Sequence, residues 1–531
     1  MKSILILGGG VMQLPAIRTA LERGWKVIVA DVNPAVPGAG LAHHFEPVDL
    51  KDREAMLAMA RNYREGSGLD GVFTAGTDFS ATVAYVANHL GLPGIPFEAA
   101  VRASNKTEMR RTFRDAGVPS PAFRGLHRDD DPLPVLDSLK FPLVVKPVDN
   151  MGARGISRVD SPEELVRAFA EAGRYSRSGQ VILEEYIIGP EFSLDALVEE
   201  GQITLCGFAD RHIFFEPFFI EMGHTMPTSL SQKDQDRVFE TFCRGVRALG
   251  ITVGAAKGDM KLGPDGPVVG EIAARLSGGF MSGWTFPYAS GVDLTGAALN
   301  LAVGLPAGDL SPRRREFSAE RAFISLPGEI DSLTGFREAE KGEGILFSHL
   351  RVGPGDRITF PRNNVEKGGN FISRAESREK AMFQAEEACR QVDIRLKPAD
   401  KETEEFLAGR SYLWVPPAYG LTDPENLRYA AGLSGGCLPA GEGIPEAPAL
   451  APLPFPSRES GTDWHGLSFG KALERVLDAT GARWGLPESY DLGGVFWKAF
   501  LRGGVQGGIW IIRTALEASS GGTWGDFLKK W

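Results

Sequence analysis

The segments FPLVVKPVDNMGARGIS (residues 141–157) and VILEEYIIGPEFSLD (residues 181–195) are the most informative part of this chain. The first begins with an apolar run of strand length that ends on Lys146, and a loop with two glycines and Arg154 follows. Glycines let backbone N–H groups approach an anion closely, and a guanidinium can bind phosphate oxygens in a bidentate manner. The pattern therefore predicts a strand, a loop that holds a polyphosphate, and a second strand.

An acidic pair, Glu184 and Glu185, interrupts the second apolar segment. Carboxylates in a buried strand need charged or hydrogen-bonding partners. A G-x-x-G segment by itself would fit an ordinary β-hairpin turn equally well. The ordered set of a strand lysine, a glycine loop and strand carboxylates is more specific, and it favours a nucleotide site.

In this order the motifs resemble the ATP-grasp superfamily of carboxylate ligases, over roughly residues 1–395. The resemblance is closest to carboxylate–amine and amino-acid ligases, with an architecture like that of biotin carboxylase. It implies an α/β fold with a Rossmann-like N-terminal domain, ATP-grasp α+β domains, a small β-rich C-terminal domain and a helical tail. It also implies that ATP binds with its adenine beside the strand lysine, its ribose at a later glutamate and its phosphates under the glycine loop. The nucleotide contacts that the resemblance implies are Lys106, Lys146, Gly152, Arg154, Gly155, Glu184, Glu185, Ile187 and Glu191.

The segment AAKGDMKLGPDGPVVGEIAARLSGG (residues 255–279) contains candidate metal ligands. Asp259 and Glu271 fall on two strands of a predicted hairpin, so side chains of matched phase can converge on one ion. Magnesium takes one or two carboxylates and completes its octahedron with phosphates and water. The family's second strand usually reads E-x-N-x-R, whereas this chain has Ala273 at the asparagine position, as does the family branch that makes carboxyaminoimidazole ribonucleotide. We therefore expect Mg²⁺ (or Mn²⁺) at this pair, with the number of ions left open, and Lys257 stands where many relatives have histidine.

The substrate site implied by the resemblance follows the same strand. Arg275 matches the arginine that holds the carboxylate or acyl phosphate, and Ser277, Gly278 and Gly279 would form a backbone anion nest. His224 lies in an aromatic-rich stretch similar to one near the substrate in amino-acid ligases, although a purely structural histidine fits equally well. The catalytic set implied is Arg275, Arg154 and Lys146.

The N-terminus reads as a βαβ unit and supports a second hypothesis. Gly8 and Gly10 precede a helix, and Asp31 closes the next strand, as in dinucleotide-binding domains. Gln13 stands where that fingerprint needs Gly or Ala, so an NAD(P)-dependent oxidoreductase is the disfavoured alternative. Thr77 and Asp78 follow a strand and could touch substrate, or Asp78 could simply start the next helix.

The chain is long enough for several domains, and we predict five regions. The region at 401–460 includes six prolines between Leu438 and Pro456, and the last region carries six of the nine tryptophans. The apolar helix predicted over Val495–Ala518 could contact a partner or membrane surface, but it more often forms the core of a small helical module. The regions are 1–100 (Rossmann-like), 101–310 (ATP-grasp nucleotide-binding and catalytic), 311–400 (β-rich), 401–460 (proline-rich linker) and 461–531 (helical tail).

Composition limits the classes of partner. The net charge of −10 argues against nucleic acid and against anionic membranes, and the four scattered cysteines suggest neither disulfides nor a zinc ribbon. With no apolar run long enough for a signal peptide, we expect a cytoplasmic protein, and a homodimer is left open. The sequence thus predicts an ATP-dependent ligase that activates a small-molecule carboxylate as an acyl phosphate and couples it to an amine or other nucleophile. A nucleotide-binding scaffold without catalysis is the third hypothesis.

Overall fold

A computed structural model describes residues 1–150, 152–410, 417–419, 449–450, 461–484 and 492–521. The chain divides into two compact units. The first comprises Met1–Glu320 and Ile372–Met382, and the second comprises Arg321–Phe371 and Phe383–Trp531. The predicted linker at 438–456 lies outside the described residues, apart from Ala449 and Leu450.

The first unit begins with a four-stranded parallel sheet whose strand order is β3-β2-β1-β4. The apolar runs predicted as strands are buried, because helices alternate with the strands and cover the sheet. This is the predicted Rossmann-like opening. Its elements are β1 (Ser3–Leu7), α1 (Leu14–Glu22), β2 (Lys26–Ala30), β3 (His44–Glu46), α2 (Arg53–Gly66), β4 (Gly71–Phe73), α3 (Ser80–His89) and α4 (Phe97–Ser104).

The glycine turn after β1 is closed by the protein itself. The Gly9 N–H donates to Asp31 Oδ2 at 3.0 Å, and a Cβ at Gly9 would lie 2.4 Å from Val36 Cγ2. Gln13 packs 3.0 Å from a Cβ built on Gly8 and donates to the Ala75 carbonyl. A dinucleotide would need this N–H group and this space. The geometry therefore does not favour the oxidoreductase hypothesis.

A second, antiparallel sheet carries the glycine loop and has the order β5-β8-β6-β7. We predicted one helix over Ala100–Ala116, but the structure has α4 and a separate helix α5 (Lys106–Asp115), because Asn105 is extended (φ −116°, ψ 112°). The Asn105 side chain accepts from the N–H groups of Thr107 and Glu108 and so caps α5. The other elements are β5 (Phe123–His127), β6 (Leu143–Pro147), β7 (Ser157–Val159), α6 (Pro162–Tyr175) and β8 (Gln180–Glu185).

The largest sheet supplies the opposite side of the site, and in the first unit its order is β13-β12-β9-β10-β11-β14. Its apolar side chains pack against α7 and α9 in two buried clusters. Its elements are β9 (Glu191–Glu199), β10 (Gln202–Phe214), β11 (Ile220–Met226), α7 (Gln232–Leu249), β12 (Gly254–Gly263), β13 (Gly266–Ala273), α8 (Phe286–Ser290), α9 (Leu294–Ala302) and β14 (Phe317–Phe323).

The second unit combines short strands with helices, as predicted for a β-rich region. Two of its strands, β15 and β19, were not predicted, because neither shows a sustained two-residue alternation. Its elements are β15 (Gly328–Thr334), α10 (Phe336–Ala339), β16 (Ile345–Leu350), β17 (Arg357–Ile358), β18 (Gly369–Ala375), α11 (Arg378–Gln391), β19 (Asp393–Leu396), α12 (Lys401–Leu407), β20 (Ala449–Leu450), α13 (Phe469–Thr480), β21 (Arg483–Trp484) and α14 (Gly493–Ser520). The strand β18 and the helix α11 cross the division between the units.

The tail helices belong to the core of this second unit. Trp497 and Trp510 on α14 are buried in one apolar cluster with Phe323, Phe371 and Phe406. The tail therefore packs into the same core as the β-rich region. The predicted domain boundaries at residues 400 and 460 stay predictions. Among the helices that the structure describes, none is long and apolar enough to cross a membrane.

Candidate active site

Lys146 at the end of β6 is held by a buried ion-pair cluster. Its Nζ lies 2.6 Å from Glu184 Oε2 on the neighbouring strand β8. The other carboxylate oxygen, Glu184 Oε1, lies 2.8 Å from Arg110 Nε on α5. All three side chains are buried. Sequence reasoning identified Lys146 and Glu184 as nucleotide contacts and missed Arg110, although it lies one helical turn after Lys106.

Burial and pairing oppose each other in this cluster. Burial favours the neutral form of Glu184, but Arg110 and Lys146 together hold the pKa of Glu184 below its usual range. Burial lowers the pKa of Lys146, and the nearby charges of Arg110 and Lys106 lower it further, against the attraction of Glu184. Glu184 therefore carries its charge as the counter-ion of two cations rather than as a free carboxylate.

The glycine loop has the backbone that its sequence predicts. Gly152, Ala153 and Gly155 have positive φ angles of 70°, 62° and 73°, a conformation for which glycine is the natural residue. Arg154 is half-buried in this turn. The loop begins next to Lys106, whose Nζ donates to the Asn150 carbonyl at 2.8 Å. The predicted phosphate-contacting lysine and the predicted phosphate loop are therefore neighbours.

The predicted metal ligands face each other across the β12–β13 hairpin. Asp259 pairs directly with Glu271, and the hairpin turns between Gly263 and Gly266 as predicted. Burial disfavours both charges, but Arg211 and Lys257 lower the pKa of Asp259, and Lys106 and Lys257 lower that of Glu271. Lys106 Nζ lies 3.8 Å from Glu271 Oε2. Two ionised carboxylates of matched phase fit a hard divalent cation that also binds phosphates.

A metal site built from protein ligands alone is not present in the described ranges. Within residues 1–150, 152–410 and the described tail segments, no group of three or more His, Cys, Asp or Glu side chains is placed to hold a metal ion. Two carboxylates, such as the predicted pair Asp259 and Glu271, are enough for a magnesium site in which phosphates and water supply the remaining ligands. The assignment of these two residues remains a prediction.

Arg211 on β10 connects several predicted residues, and sequence reasoning missed it. Its guanidinium lies 3.2 Å from Glu191, 2.8 Å from Glu221 and 3.2 Å from Asp259. These carboxylates raise the pKa of Arg211 above its ordinary value, against the effect of burial. The predicted ribose contact Glu191 also lies 2.9 Å from Lys261. The alternation of basic residues on β12 and β10 with acidic residues on β9 and β11 was the available signal for this network.

Two further predicted nucleotide contacts, Glu185 and Ile187, lie at the end of β8 and just after it. Lys261 Nζ donates to the Ile187 carbonyl at 2.8 Å and lies 4.1 Å from the centroid of the Tyr186 ring. Glu185 accepts from the Lys140 backbone N–H at 3.0 Å. Ile187 is thus part of the same network as Glu191, whereas the Glu185 carboxylate contacts the chain before β6.

Arg275 lies at the junction with the N-terminal sheet. Its Nε donates to the Thr77 carbonyl at 2.8 Å, and its Nη1 donates to the Leu276 carbonyl at 3.0 Å. Asp78, the other residue predicted to touch substrate, pairs instead with Arg177 at 2.7 Å. The end of β4 and the end of β13 therefore meet at Arg275, as expected for residues that bind one ligand from two domains.

The predicted anion nest at residues 277–279 is only partly available. The Ser277 N–H and Oγ both donate to Asp195 Oδ1, at 3.0 and 2.8 Å, so these donors are already used. Burial raises the pKa of Asp195 despite its serine partners. These bonds fix the loop on β9, and a substrate contact by Ser277 stays a prediction. Gly278 and Gly279 are not tied in this way, and Gly278 lies beside Gly76.

His224 and Glu221 lie against the same loop. A Cβ at Gly279 (φ 58°) would lie 2.7 Å from Glu221 Oε1 and 2.9 Å from His224 Cε1. His224 is buried, and its Nδ1 lies 3.2 Å from Glu320 Oε2. The predicted substrate residue His224 is therefore adjacent to the predicted nest, and both of its neighbours, Glu221 and Glu320, are acidic.

An open cavity of about 60 Å³ adjoins Arg275. Thr74 and Ser80 contribute its polar lining, and most of the remaining surface is apolar. An arginine beside apolar walls suits an acid with a compact apolar group. The apolar lining includes Phe73, Val83, Ile95, Ala255, Ala298 and Leu301.

Comparisons with known proteins match two parts of the chain to known domain families. Residues 139–283 match the model of the ATP-grasp domain, and residues 321–397 match that of the L-amino acid ligase C-terminal domain 2. An uncharacterized protein of Sinorhizobium fredii is 26% identical over 378 residues, which cover 70% of this chain and 78% of that protein. Carnosine synthase 1 of Gallus gallus is 28% identical over 332 residues, covering 57% of this chain but only 35% of the synthase.

Among solved structures, the L-amino acid ligase from Bacillus licheniformis has the same fold, with a TM-score of 0.66 and 24% identity. The superposition covers 75% of this chain and 99% of the ligase. The predicted fold class is thereby confirmed. The chain therefore contains an ATP-grasp domain followed by an L-amino acid ligase C-terminal domain 2, and it is similar to ATP-dependent ligases of the ATP-grasp superfamily.

Proposed function

We propose that this protein joins a small-molecule carboxylate to an amine in two steps driven by ATP. A carboxylate oxygen attacks the γ-phosphorus of ATP and forms an acyl phosphate, and ADP leaves. The amine nitrogen then attacks the acyl carbon, loses a proton, and displaces inorganic phosphate. The observation that carries this proposal is the meeting of the glycine loop, Lys106 and the Asp259–Glu271 pair in one place.

The charges of the site suit a polyanionic nucleotide. Six cations and five carboxylates contact one another, which leaves one positive charge before Arg154 and Arg275 are added. Phosphoryl transfer depends mainly on positioning and on neutralising charge at the γ-phosphoryl group. The contacting cations are Lys106, Arg110, Lys146, Arg211, Lys257 and Lys261, and the carboxylates are Glu184, Glu191, Glu221, Asp259 and Glu271.

In this proposal each residue has a distinct role. Lys146 and Ile187 border the adenine, Glu191 the ribose, and Lys106 and Arg154 the phosphates. Asp259 and Glu271 would hold Mg²⁺, which would neutralise phosphate charge. Arg275 orients the acceptor carboxylate and then holds the acyl phosphate, with the N–H groups of Gly278 and Gly279 as further donors.

The acid substrate belongs, in this proposal, to the amino acids with a compact apolar side chain, because an apolar cavity adjoins Arg275. In this proposal His224 and Glu221 contact its amino group, and the position of both side chains beside the Gly279 loop supports this. The names of the L-amino acid ligase and of carnosine synthase support amino-acid substrates in general.

The test is a screen for ADP release with Mg²⁺-ATP over pairs of amino acids, other small acids and amines. We expect ADP release that depends on both partners, highest when the acid is valine, leucine or methionine and lowest when it is aspartate or lysine. Glu271→Gln should lower the rate about a hundredfold or more, since one charge is lost from the metal site. The matched control is Glu163→Gln, on the exposed face of α6. Tight Mg²⁺-ATP binding without ADP release for any pair would favour the scaffold hypothesis. Ala273, which stands at the usual asparagine position of the metal site, is the reason to test for it.

A further inference from the structure

The helix α5 carries two cations on one face, and each of them bridges the two sheets of the site. Lys106 and Arg110 are four residues apart and so lie one helical turn from each other. Lys106 contacts the Asn150 carbonyl at 2.8 Å and Glu271 at 3.8 Å. Arg110 contacts Glu184 at 2.8 Å and donates to the Gly270 carbonyl at 2.5 Å. The helix therefore joins the glycine-loop sheet to the strand β13 twice.

The two contacts of Arg110 lie directly behind residues of the proposed site. Glu184 has one oxygen on Arg110 and the other on Lys146, so Arg110 determines how the carboxylate that holds Lys146 is oriented. Gly270 immediately precedes Glu271 on β13. Arg110 itself is 1% exposed, so it is too deeply buried to contact a nucleotide directly.

We propose that Arg110 is a positioning residue of the nucleotide site, which sets the Lys146 ammonium through Glu184 and fixes β13 beside Glu271. This inference rests on the proposed function, because it assumes that Lys146 and Glu271 serve Mg²⁺-ATP. A guanidinium is suited to this task, because its planar fork can donate to a carboxylate and to a carbonyl in different directions. A lysine presents its three donors from a single nitrogen, so it covers a narrower range of partner positions.

The experiment measures Mg²⁺-ATP affinity by calorimetry and thermal stability for matched variants of the full chain. Arg110→Met is expected to weaken Mg²⁺-ATP binding about tenfold or more, because the Glu184 carboxylate that holds Lys146 is no longer oriented from its other oxygen. Arg111→Met changes the neighbouring residue on the exposed face of α5, where Arg111 pairs with Glu108, and should bind like the parent. The readout specific to positioning is non-additivity: Lys146→Met should cost affinity in the parent but less than about threefold in the Arg110→Met background.

A second variant separates positioning from folding. Arg110→Met leaves Glu184 with one cation fewer and can destabilise the protein. Arg110→Lys keeps a cation beside Glu184 but presents its donors from one nitrogen, so the melting temperature should recover while the affinity stays about tenfold weak. Parental affinity in Arg110→Lys, or full additivity of Arg110→Met with Lys146→Met, would overturn the inference.

The same measurements keep the two proposals apart. A parent that binds Mg²⁺-ATP but releases no ADP would contradict the ligase proposal, whereas Arg110 would still be judged by nucleotide affinity. A parent that does not bind Mg²⁺-ATP would overturn both. Parental affinity in well-folded Arg110→Met would contradict only the role of Arg110.

Discussion

At the scale of single residues, the site is organised by charges that are buried in pairs. Removing a carboxylate and an ammonium from water costs several kcal/mol, and the pair repays this only when its geometry is good. Glu184 has one cation at 2.6 Å and the other at 2.8 Å from its oxygens, although Arg110 Nε is not aligned to donate to Oε1. Such a cluster contributes little to stability by itself, but the loss of one member leaves a buried charge without compensation. It therefore orients Lys146 more than it stabilises the fold.

The first prediction concerns the lysine of this cluster. Lys146→Met should weaken Mg²⁺-ATP binding by about 1.5 to 3 kcal/mol, the usual contribution of a charge-assisted hydrogen bond. Calorimetry should be compared with Lys140→Met, because Lys140 is exposed just before β6. Equal affinities for the two variants would assign Lys146 a structural role only.

The second prediction concerns the acceptor site. Arg275→Ala should leave the Mg²⁺-ATP affinity within about twofold but abolish the ADP release that substrate stimulates, since the guanidinium orients the acid and not the nucleotide. Arg174→Ala on α6 is the control, because Arg174 is exposed. Full turnover in Arg275→Ala would show that the carboxylate site lies elsewhere.

At the scale of elements, the break between α4 and α5 positions Lys106. Residues 97–115 are compatible with a single helix, but Asn105 caps α5 with its side chain and places Lys106 in the first helical turn. We predict that Asn105→Ala lowers the free energy of unfolding by about 1 kcal/mol, whereas Asn105→Asp, which keeps a capping oxygen, changes it less. Denaturant titrations of both variants check this. Equal destabilisation would mean that the side-chain cap does not hold the break.

The edge strand β16 provides a prediction about pH. Burial lowers the pKa of His349 to about 4, and Arg351 contributes in the same direction. The unfolded chain takes up this proton near pH 6.5, so between about pH 6.5 and pH 4 the unfolded state binds more protons and stability falls as the pH falls. His349→Gln should therefore show a smaller loss of unfolding free energy between pH 7 and pH 5 than the parent. Parallel pH profiles for the two proteins would contradict this.

At the scale of the whole molecule, the proposed site residues and the largest apolar cluster containing the tail helices belong to different units. Every residue proposed to contact nucleotide, metal or substrate belongs to the first unit, whereas the tail helices pack in the second. Because α14 packs against Phe323 and Phe371, truncation after residue 433 would remove a large part of that core. We therefore expect the truncated chain to be poorly soluble, even though its nucleotide residues are all present.

A single substitution tests this assignment more finely. Trp497→Ala on α14 should lower the free energy of unfolding of the second unit by about 3 to 5 kcal/mol, because it removes a fully buried indole. Below its melting temperature the variant should bind Mg²⁺-ATP like the parent. Phe383→Ala, at a side chain that is 61% exposed, is the matched control. Equal melting temperatures for the two variants would contradict a shared core.

Local patterns in the sequence were sufficient for the features that depend on neighbours along the chain. Apolar runs identified the strands of the parallel sheet, and the turn Gly263–Gly266 predicted the hairpin that carries Asp259 and Glu271, although a β-bulge between Asp259 and Met260 sets their pairing. A hairpin needs only a turn and a two-residue period, and both can be seen in about fifteen residues. The order of the motifs along the chain predicted the superfamily for the same reason.

The ion pairs of the site depend on the tertiary fold. Arg110 lies 74 positions from Glu184 in the sequence and 160 from Gly270, so no periodicity links them. Three further contacts depend on the tertiary fold in the same way. Ser277 donates to Asp195, Arg211 pairs with three carboxylates, and the tail helices pack in the core of the second unit. These pairings follow from strand register and helix packing across the whole unit, and a one-residue shift in either would separate them. Local sequence patterns show which chemical groups are available, whereas the packing of distant segments sets which of these groups form ion pairs and hydrogen bonds.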